Sequence, residues 1–208
     1  LIRAIIFDLG GVILPFDFSH AYERMERLSG LARDEIRRRL VESKLPARLE
    51  SGRIQPQAFV DSVNQLLGTR LGFEEFRDVW VSIFAEDPLI PENLLSCLKD
   101  RYRLLLLSNT NAIHFDWVVE NFPHFAHFDR WVVSHEVGAL KPDPAIYAEV
   151  LRHTGCRAEE CFFTDDVPAY VDGARKAGID AVQFTGLEGL RAQMAARNIS
   201  IGTPAGQP

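Results

Sequence analysis

Five short apolar runs alternate with helical patterns along this chain, and that alternation narrows its fold more than any other feature. The runs are Ile2 to Phe7 (Arg3 aside), Leu104 to Leu107, Trp131-Val132-Val133, Cys161-Phe162-Phe163-Thr164 and Ala181 to Phe184. A continuous apolar run bounded by polar residues is a strand covered on both faces, as in parallel sheets. Parallel neighbours need a crossover of about a dozen residues or more, usually a helix. Helical patterns fall where such crossovers belong, at 91–99, 112–121, 144–154, 168–177 and 187–197. The predicted class is therefore α/β with a parallel sheet.

Residues 18 to 86 break this rhythm. They hold no convincing strand, and their apolar residues follow helical spacing instead. Ile36, Leu40 and Val41 form one set, Phe59, Val60, Val63, Leu66 and Leu67 a second, and Phe73, Phe76, Val79, Trp80 and Ile83 a third. Glu50-Ser51-Gly52-Arg53 and Leu67-Gly68-Thr69 read as turns, and Pro88-Leu89-Ile90-Pro91 as the return linker. The expected organisation is an α/β core of residues 1–16 and 88–200, an all-helical insertion over 17–87, and a flexible tail over 201–208.

The 208 residues are enough for one domain carrying such an insertion. The 47% hydrophobic content excludes a disordered chain. A net charge of −6 gives no overall pull toward nucleic acid or an anionic membrane. Cys97, Cys156 and Cys161 are too few and too irregular for a disulfide framework, so reduced thiols and a cytoplasmic location are expected. Asp8 interrupts the N-terminal apolar run, which is no signal-peptide core, and no run nears the ~20 residues of a membrane span. The chain begins at Leu1 rather than Met, so a few preceding residues or a reset numbering are expected.

Ligands of open α/β sheets bind outside the carboxyl ends of the strands, so four strand exits matter most. Asp8 closes the first strand and enters Gly10-Gly11; it reads either as a turn aspartate or as a nucleophile able to form an acyl phosphate. Ser108-Asn109-Thr110-Asn111 follows the second strand and reads as a helix cap or as an anion site. Lys141 precedes Pro142-Asp143-Pro144 on a loop and is either a solvated lysine or a cation aimed at a phosphate or carboxylate. Asp165-Asp166 closes a further strand, where two adjacent acids repel unless a cation lies near; the alternative is a capping pair before Pro168.

The four signals in this order, with a helical insertion after the first, resemble the haloacid dehalogenase superfamily of phosphotransferases and hydrolases. The resemblance covers nearly the whole chain. It implies a Rossmann-like core with an inserted helical cap. It also implies an Mg²⁺-dependent phosphatase of small phosphorylated metabolites. By resemblance Asp8 is the nucleophile, Ser108 and Asn109 hold the phosphoryl group, and Lys141 orients both. Asp8, Asp166 with Asp165 beside it, and the Gly10 carbonyl would hold the metal. No nucleic-acid or membrane partner is implied, and nothing decides between monomer and homodimer.

The sequence departs from the family pattern at Gly10, where phosphatases carry an aspartate that protonates the leaving oxygen and then activates water. Such help is typically worth about 10²–10⁴ in rate. A metal-independent 2-haloacid dehalogenase needs no leaving-group proton, but Asp165-Asp166 fits it poorly. A phosphate-binding scaffold without turnover would not need Asp8. Bacterial α-D-glucose-1-phosphatases share the glycine, and an anomeric oxygen leaves more readily than an ordinary alkoxide, so a sugar 1-phosphate is the favoured substrate. Water activation would then fall to Asp17, His20 or a cap residue. Tyr170 stands where the family has Asp or Asn bracing the Lys141 loop; core packing is its other reading. Arg53 on the cap turn reads as a substrate contact or as part of a plain turn. His114, His124, His127 and His135 read as packing within an aromatic cluster rather than as a zinc site, and His114, close after the second strand exit, reads as packing or capping with pocket lining as the alternative.

Overall fold

The computed structural model describes residues 1–201. Five parallel strands form one sheet in the order β3-β2-β1-β4-β5. They are β1 (Ala4–Phe7), β2 (Arg103–Ser108), β3 (Arg130–Val133), β4 (Cys161–Asp165) and β5 (Asp180–Gln183). The central β1 pairs on both sides, with Ile6 opposite Leu105 of β2 and Phe163 of β4. The remaining core helices are α6 (Glu92–Lys99), α7 (Ala112–Asn121), α8 (Ser134–Val137), α9 (Pro144–Thr154), α10 (Pro168–Lys176) and α11 (Leu187–Ala196).

Both faces of the sheet are covered, and this is why its strands read as unbroken apolar runs. Ile5, Phe7, Leu104, Leu106 and Phe162 point to one face, where Leu95 and Leu98 of α6, Val118 of α7 and Met194 of α11 cover them. Ala4, Ile6, Leu105, Leu107 and Phe163 point to the other, against Ile146, Tyr147 and Val150 of α9 and Val171 of α10. Each fully buried Leu, Ile or Phe contributes about 1.5–3 kcal/mol from water exclusion, before entropy is counted.

Between β1 and α6 the chain is helical: α1 (Phe18–Ser29), α2 (Arg33–Ser43), α3 (Leu45–Glu50), α4 (Pro56–Leu67) and α5 (Phe73–Trp80). These helices bury a core of their own, including Met25, Ile36, Leu40, Phe59, Val63, Phe76 and Trp80. Trp80 is its centre, 5.3 Å from the Phe59 ring and 5.6 Å from the Phe76 ring, and it stacks on His114 of α7 at 5.5 Å. One expectation needs correction and one helix is unforeseen. Val41 is 67% exposed, because it follows Leu40 directly and so lies off the buried stripe. The one-turn helix α8 has no counterpart in the sequence reading, since four residues carry no periodicity. No helix among the described residues is long and apolar enough to cross a membrane. Gly202 to Pro208 of the expected flexible tail lie outside the described residues.

Candidate active site

The sheet order places the ends of β2, β1 and β4 side by side, and the sequence candidates converge there. Asp8 continues the ladder, its N–H donating to the Thr164 carbonyl at 3.1 Å, so its side chain leaves from a fixed backbone. Lys141 Nζ lies 2.8 Å from Asp8 Oδ1 and 2.5 Å from Asp165 Oδ2, and its side chain is fully buried. A lysine so placed is no solvated surface group. Asn109 holds it: Asn109 Oδ1 accepts the Lys141 N–H at 2.7 Å, and Asn109 Nδ2 donates to the Lys141 carbonyl at 3.0 Å. The rings of Phe163 and Tyr170 face the ammonium at 5.6 and 5.1 Å. Tyr170 is half-buried beside the same cleft, with its backbone carbonyl accepting from Tyr147 Oη at 2.7 Å.

Charge is unbalanced at this point. Ligand oxygens of Asp8, Asp165 and Asp166 all lie within 4.8 Å of one another, against the single ammonium of Lys141. Burial pushes the Asp8 carboxyl up to about 7; Lys141 pulls it down and Asp165 pushes it further up. Asp166 is raised by burial and by Asp165. Burial alone would lower Lys141, yet Asp8 and Asp165 overturn this and hold its ammonium above the usual range. Asp165 is fully committed: its second oxygen accepts the Val167 N–H at 2.9 Å. Asp166 is the more open acid. Gly11 makes room for it, since at φ +74° a Cβ there would stand 2.4 Å from Asp166 Oδ2. Oxygen donors carrying excess negative charge suit a hard divalent cation such as Mg²⁺.

Gly10 has a physical explanation that the sequence does not show. A Cβ at this position would lie 2.8 Å from Cε1 of Phe16, so the aromatic ring occupies the space into which a side chain would project. Gly10→Ala is expected to destabilise by about 1 kcal/mol, the low end for overpacking, because the partly exposed Phe16 ring can swing aside. In a Phe16→Ala background the same change is expected to cost nothing. A urea-denaturation double-mutant cycle reads the difference, and equal costs in both backgrounds would contradict the clash.

The cleft above these strand ends has a volume of about 280 Å³ and is lined by Asp8, Gly10, Phe16, Lys141, Asp166 and one cap acid, Glu50. Ser108, buried at the end of β2, also lines it. Glu50 ends α3, and two contacts with α8 seat that turn on the core. The Glu50 carbonyl accepts from Ser134 Oγ at 2.6 Å. Gly52, at φ +68°, packs so closely that a Cβ would stand 2.2 Å from the His135 carbonyl. Burial raises the Glu50 carboxyl to about 7.

Other candidates fall elsewhere. Asp17 caps α1, accepting the Ser19 N–H at 2.8 Å, and His20 is exposed. Arg53 is exposed and does not line the cleft, so the turn contributes Glu50 instead. Asn111 caps α7 by accepting the His114 N–H at 3.1 Å. His114 is buried, bonded to the Trp80 carbonyl at 3.0 Å and to Asn111. His127 pairs with Glu92 at 3.0 Å, and His124 packs on Phe122.

Residues 2–178 match a family model described as haloacid dehalogenase-like hydrolase. A D-ribitol-5-phosphate phosphatase of Bacteroides thetaiotaomicron is 27% identical over 190 residues, covering 88% of this chain and 92% of the relative. A phosphatase of Mycobacterium tuberculosis is 26% identical over 186 residues, covering 86% of each. The crystal structure of a family enzyme from Bacteroides thetaiotaomicron, in complex with magnesium and inorganic phosphate, superposes with a TM-score of 0.82 at 27% identity. That match covers 89% of this chain and 96% of the other.

Proposed function

The chain belongs to the haloacid dehalogenase-like hydrolases, and from that premise we propose an Mg²⁺-dependent phosphatase of small phosphorylated metabolites that acts through an aspartyl-phosphate on Asp8. The observation that carries this reading is the buried Lys141 bridging Asp8 and Asp165, with Asp166 beside them and a cleft above. Lys141 favours the Asp8 anion against burial and aims it. Asp165 fixes Lys141, and Asn109 fixes the lysine's backbone, so the nucleophile needs little reorganisation. The Ser108 hydroxyl and the Asn109 backbone N–H are the groups offered to phosphoryl oxygens; the Asn109 side chain is already engaged. Asp8, Asp166 and the Gly10 carbonyl would hold Mg²⁺, which supplies positive charge to offset a phosphoryl group entering an acidic site. Phosphoryl transfer asks chiefly for positioning and charge neutralisation, and these residues provide both. The helical insertion over residues 17–87 acts as the cap that excludes water during transfer.

The acidic pair favours this reading over metal-independent halide displacement, where Asp166 would have no function. The intact Asp8 and Lys141 favour it over a scaffold without turnover. Among substrates we favour a sugar 1-phosphate, because Gly10 places no proton donor beside the leaving oxygen and an anomeric oxygen needs least help. The relative named for ribitol 5-phosphate acts on a primary-alcohol ester, so that class is the main competitor. Three free thiols suit the cytoplasm.

A panel of anomeric and primary-alcohol phosphates with Mg²⁺ tests this. Hydrolysis is expected, fastest on an anomeric ester, and EDTA is expected to abolish it. Activity that survives EDTA overturns the metal requirement. Halide release from 2-haloacids without metal selects the dehalogenase.

A further inference from the structure

We infer that Glu50 is the acid–base residue of this site, delivering a proton to the leaving oxygen and then taking one from the attacking water. The inference rests on the phosphatase reading above and assigns a step that reading leaves open. The carboxyl groups around the cleft make the case. Asp8 is the nucleophile, and Asp165 is consumed by Lys141 and the Val167 N–H. Asp166 faces Gly11 and belongs to the acidic cluster. Among the described residues Glu50 is the one carboxyl from the helical insertion that lines the cleft. Among the described residues its carboxylate has no hydrogen-bond or ion-pair partner, and burial alone governs its proton affinity. Neither Asp17 nor His20 lines the cleft.

The strand exit carries glycine where the usual acid would stand. The Phe16 ring fills the space above Gly10 and lines the same cleft as Glu50. Removal of an acid from the strand exit and its supply from the cap are thus two halves of one arrangement. The Ser134 bond to the Glu50 carbonyl and the close contact of Gly52 with His135 seat the turn on the core, with Glu50 lining the cleft that Asp8 and Asp166 also line.

The chemistry balances. In the first step an Asp8 oxygen bonds to phosphorus, the ester P–O bond breaks, and the Glu50 proton goes to the leaving oxygen, which departs as an alcohol. In the second step a water oxygen bonds to phosphorus, its proton goes to Glu50, and the P–O bond to Asp8 breaks. Phosphate leaves, and Asp8 and Glu50 return to their starting states. A carboxyl poised near neutrality suits both transfers.

The test compares Glu50→Gln and Glu50→Asp with wild type on p-nitrophenyl phosphate and on a primary-alcohol phosphate. Acid quenching measures protein-bound phosphate. In Glu50→Gln, kcat is expected to fall by about 10²–10³ on both esters, with phosphorylated Asp8 accumulating. On the aryl ester kcat/KM should stay within about threefold, since that leaving group needs no proton. On the primary-alcohol ester kcat/KM should fall about 100-fold. Glu50→Asp should recover part of each loss.

For water activation, wild-type kcat should decline as pH falls below about 7, and Glu50→Gln should lose that limb. The charged and titratable groups that share the pockets Glu50 lines are Asp8, Asp166, Lys141, Tyr170 and His114, with His135 of α8 beside the turn, and all remain in the variant. An equal loss of kcat/KM on both esters without trapped phosphoenzyme would make Glu50 a shaping residue and overturn the inference. So would unchanged kinetics. If wild type itself never forms a phosphoenzyme, the phosphatase reading fails whatever the variants do.

Discussion

Lys141→Met is expected to unfold at markedly lower urea and to lose nearly all phosphatase activity. The ammonium is fully buried between Asp8 and Asp165, at 2.8 and 2.5 Å. Methionine matches the lysine stem as far as Cε but leaves two buried carboxylates without their cation. Breaking a buried ion pair from one side typically costs about 3–5 kcal/mol, a large fraction of a domain's net stability. The sign with pH is fixed. Burial opposes the charge, but Asp8 and Asp165 raise the lysine above its ordinary value. Its stabilisation is therefore complete below the unfolded value of about 10.4 and fades only as pH rises beyond it. At neutral pH the variant shows the whole loss. Added Mg²⁺ should recover part of the stability by binding the folded form. Activity should fall by at least about 10²–10³-fold, the usual cost of one preorganised electrostatic contact. A variant as stable as wild type would contradict the bridging role.

Asp8→Asn is expected to lose activity by about 10⁴-fold or more while folding as well as wild type or better. The amide is nearly isosteric but cannot attack phosphorus. Its stability effect has the opposite sign to that of Lys141→Met. Burial disfavours the Asp8 charge, raising its carboxyl to about 7, so ionising it opposes folding above the unfolded value of about 3.9. Removing that charge relieves the strain while Lys141 keeps Asp165 as its partner. Thermal unfolding at pH 7 measures this directly. A large loss of stability in Asp8→Asn would mean that Asp8 serves the fold, not the reaction.

Much of this arrangement is legible in the sequence, for a physical reason. The strands are buried on both faces, so each reads as a run of apolar residues, and the residue that ends a run is the one delivered to the cleft. Asp8, Ser108, Asn109 and Asp166 are found that way, and Asp165, at the end of the same run as Asp166, is buried on Lys141 instead. Lys141 is found through its prolines and its place in the motif order. Glu50 escapes because nothing local marks it. Gly52 reveals the turn but not which way it faces, and a glutamate followed by an arginine on a turn offers two equal candidates. The choice is made by Ser134 and His135, more than 80 residues away, on a helix too short to recognise. Gly10 is half legible. The missing acid is visible, but the ring that fills its place sits six residues on. The chain returns there through the turn in which the Leu9 carbonyl accepts the Ile13 and Leu14 N–H groups at 2.8 and 3.0 Å.

Rapid acid quench with a ³²P-labelled phosphate ester tests the central claim most directly. Mixed with Mg²⁺ and substrate for a fraction of one turnover, the wild-type protein should carry hydroxylamine-labile label on the peptide containing Asp8. Asp8→Asn should carry none. Free phosphate released with no label on the chain, or label on a residue other than Asp8, would contradict it.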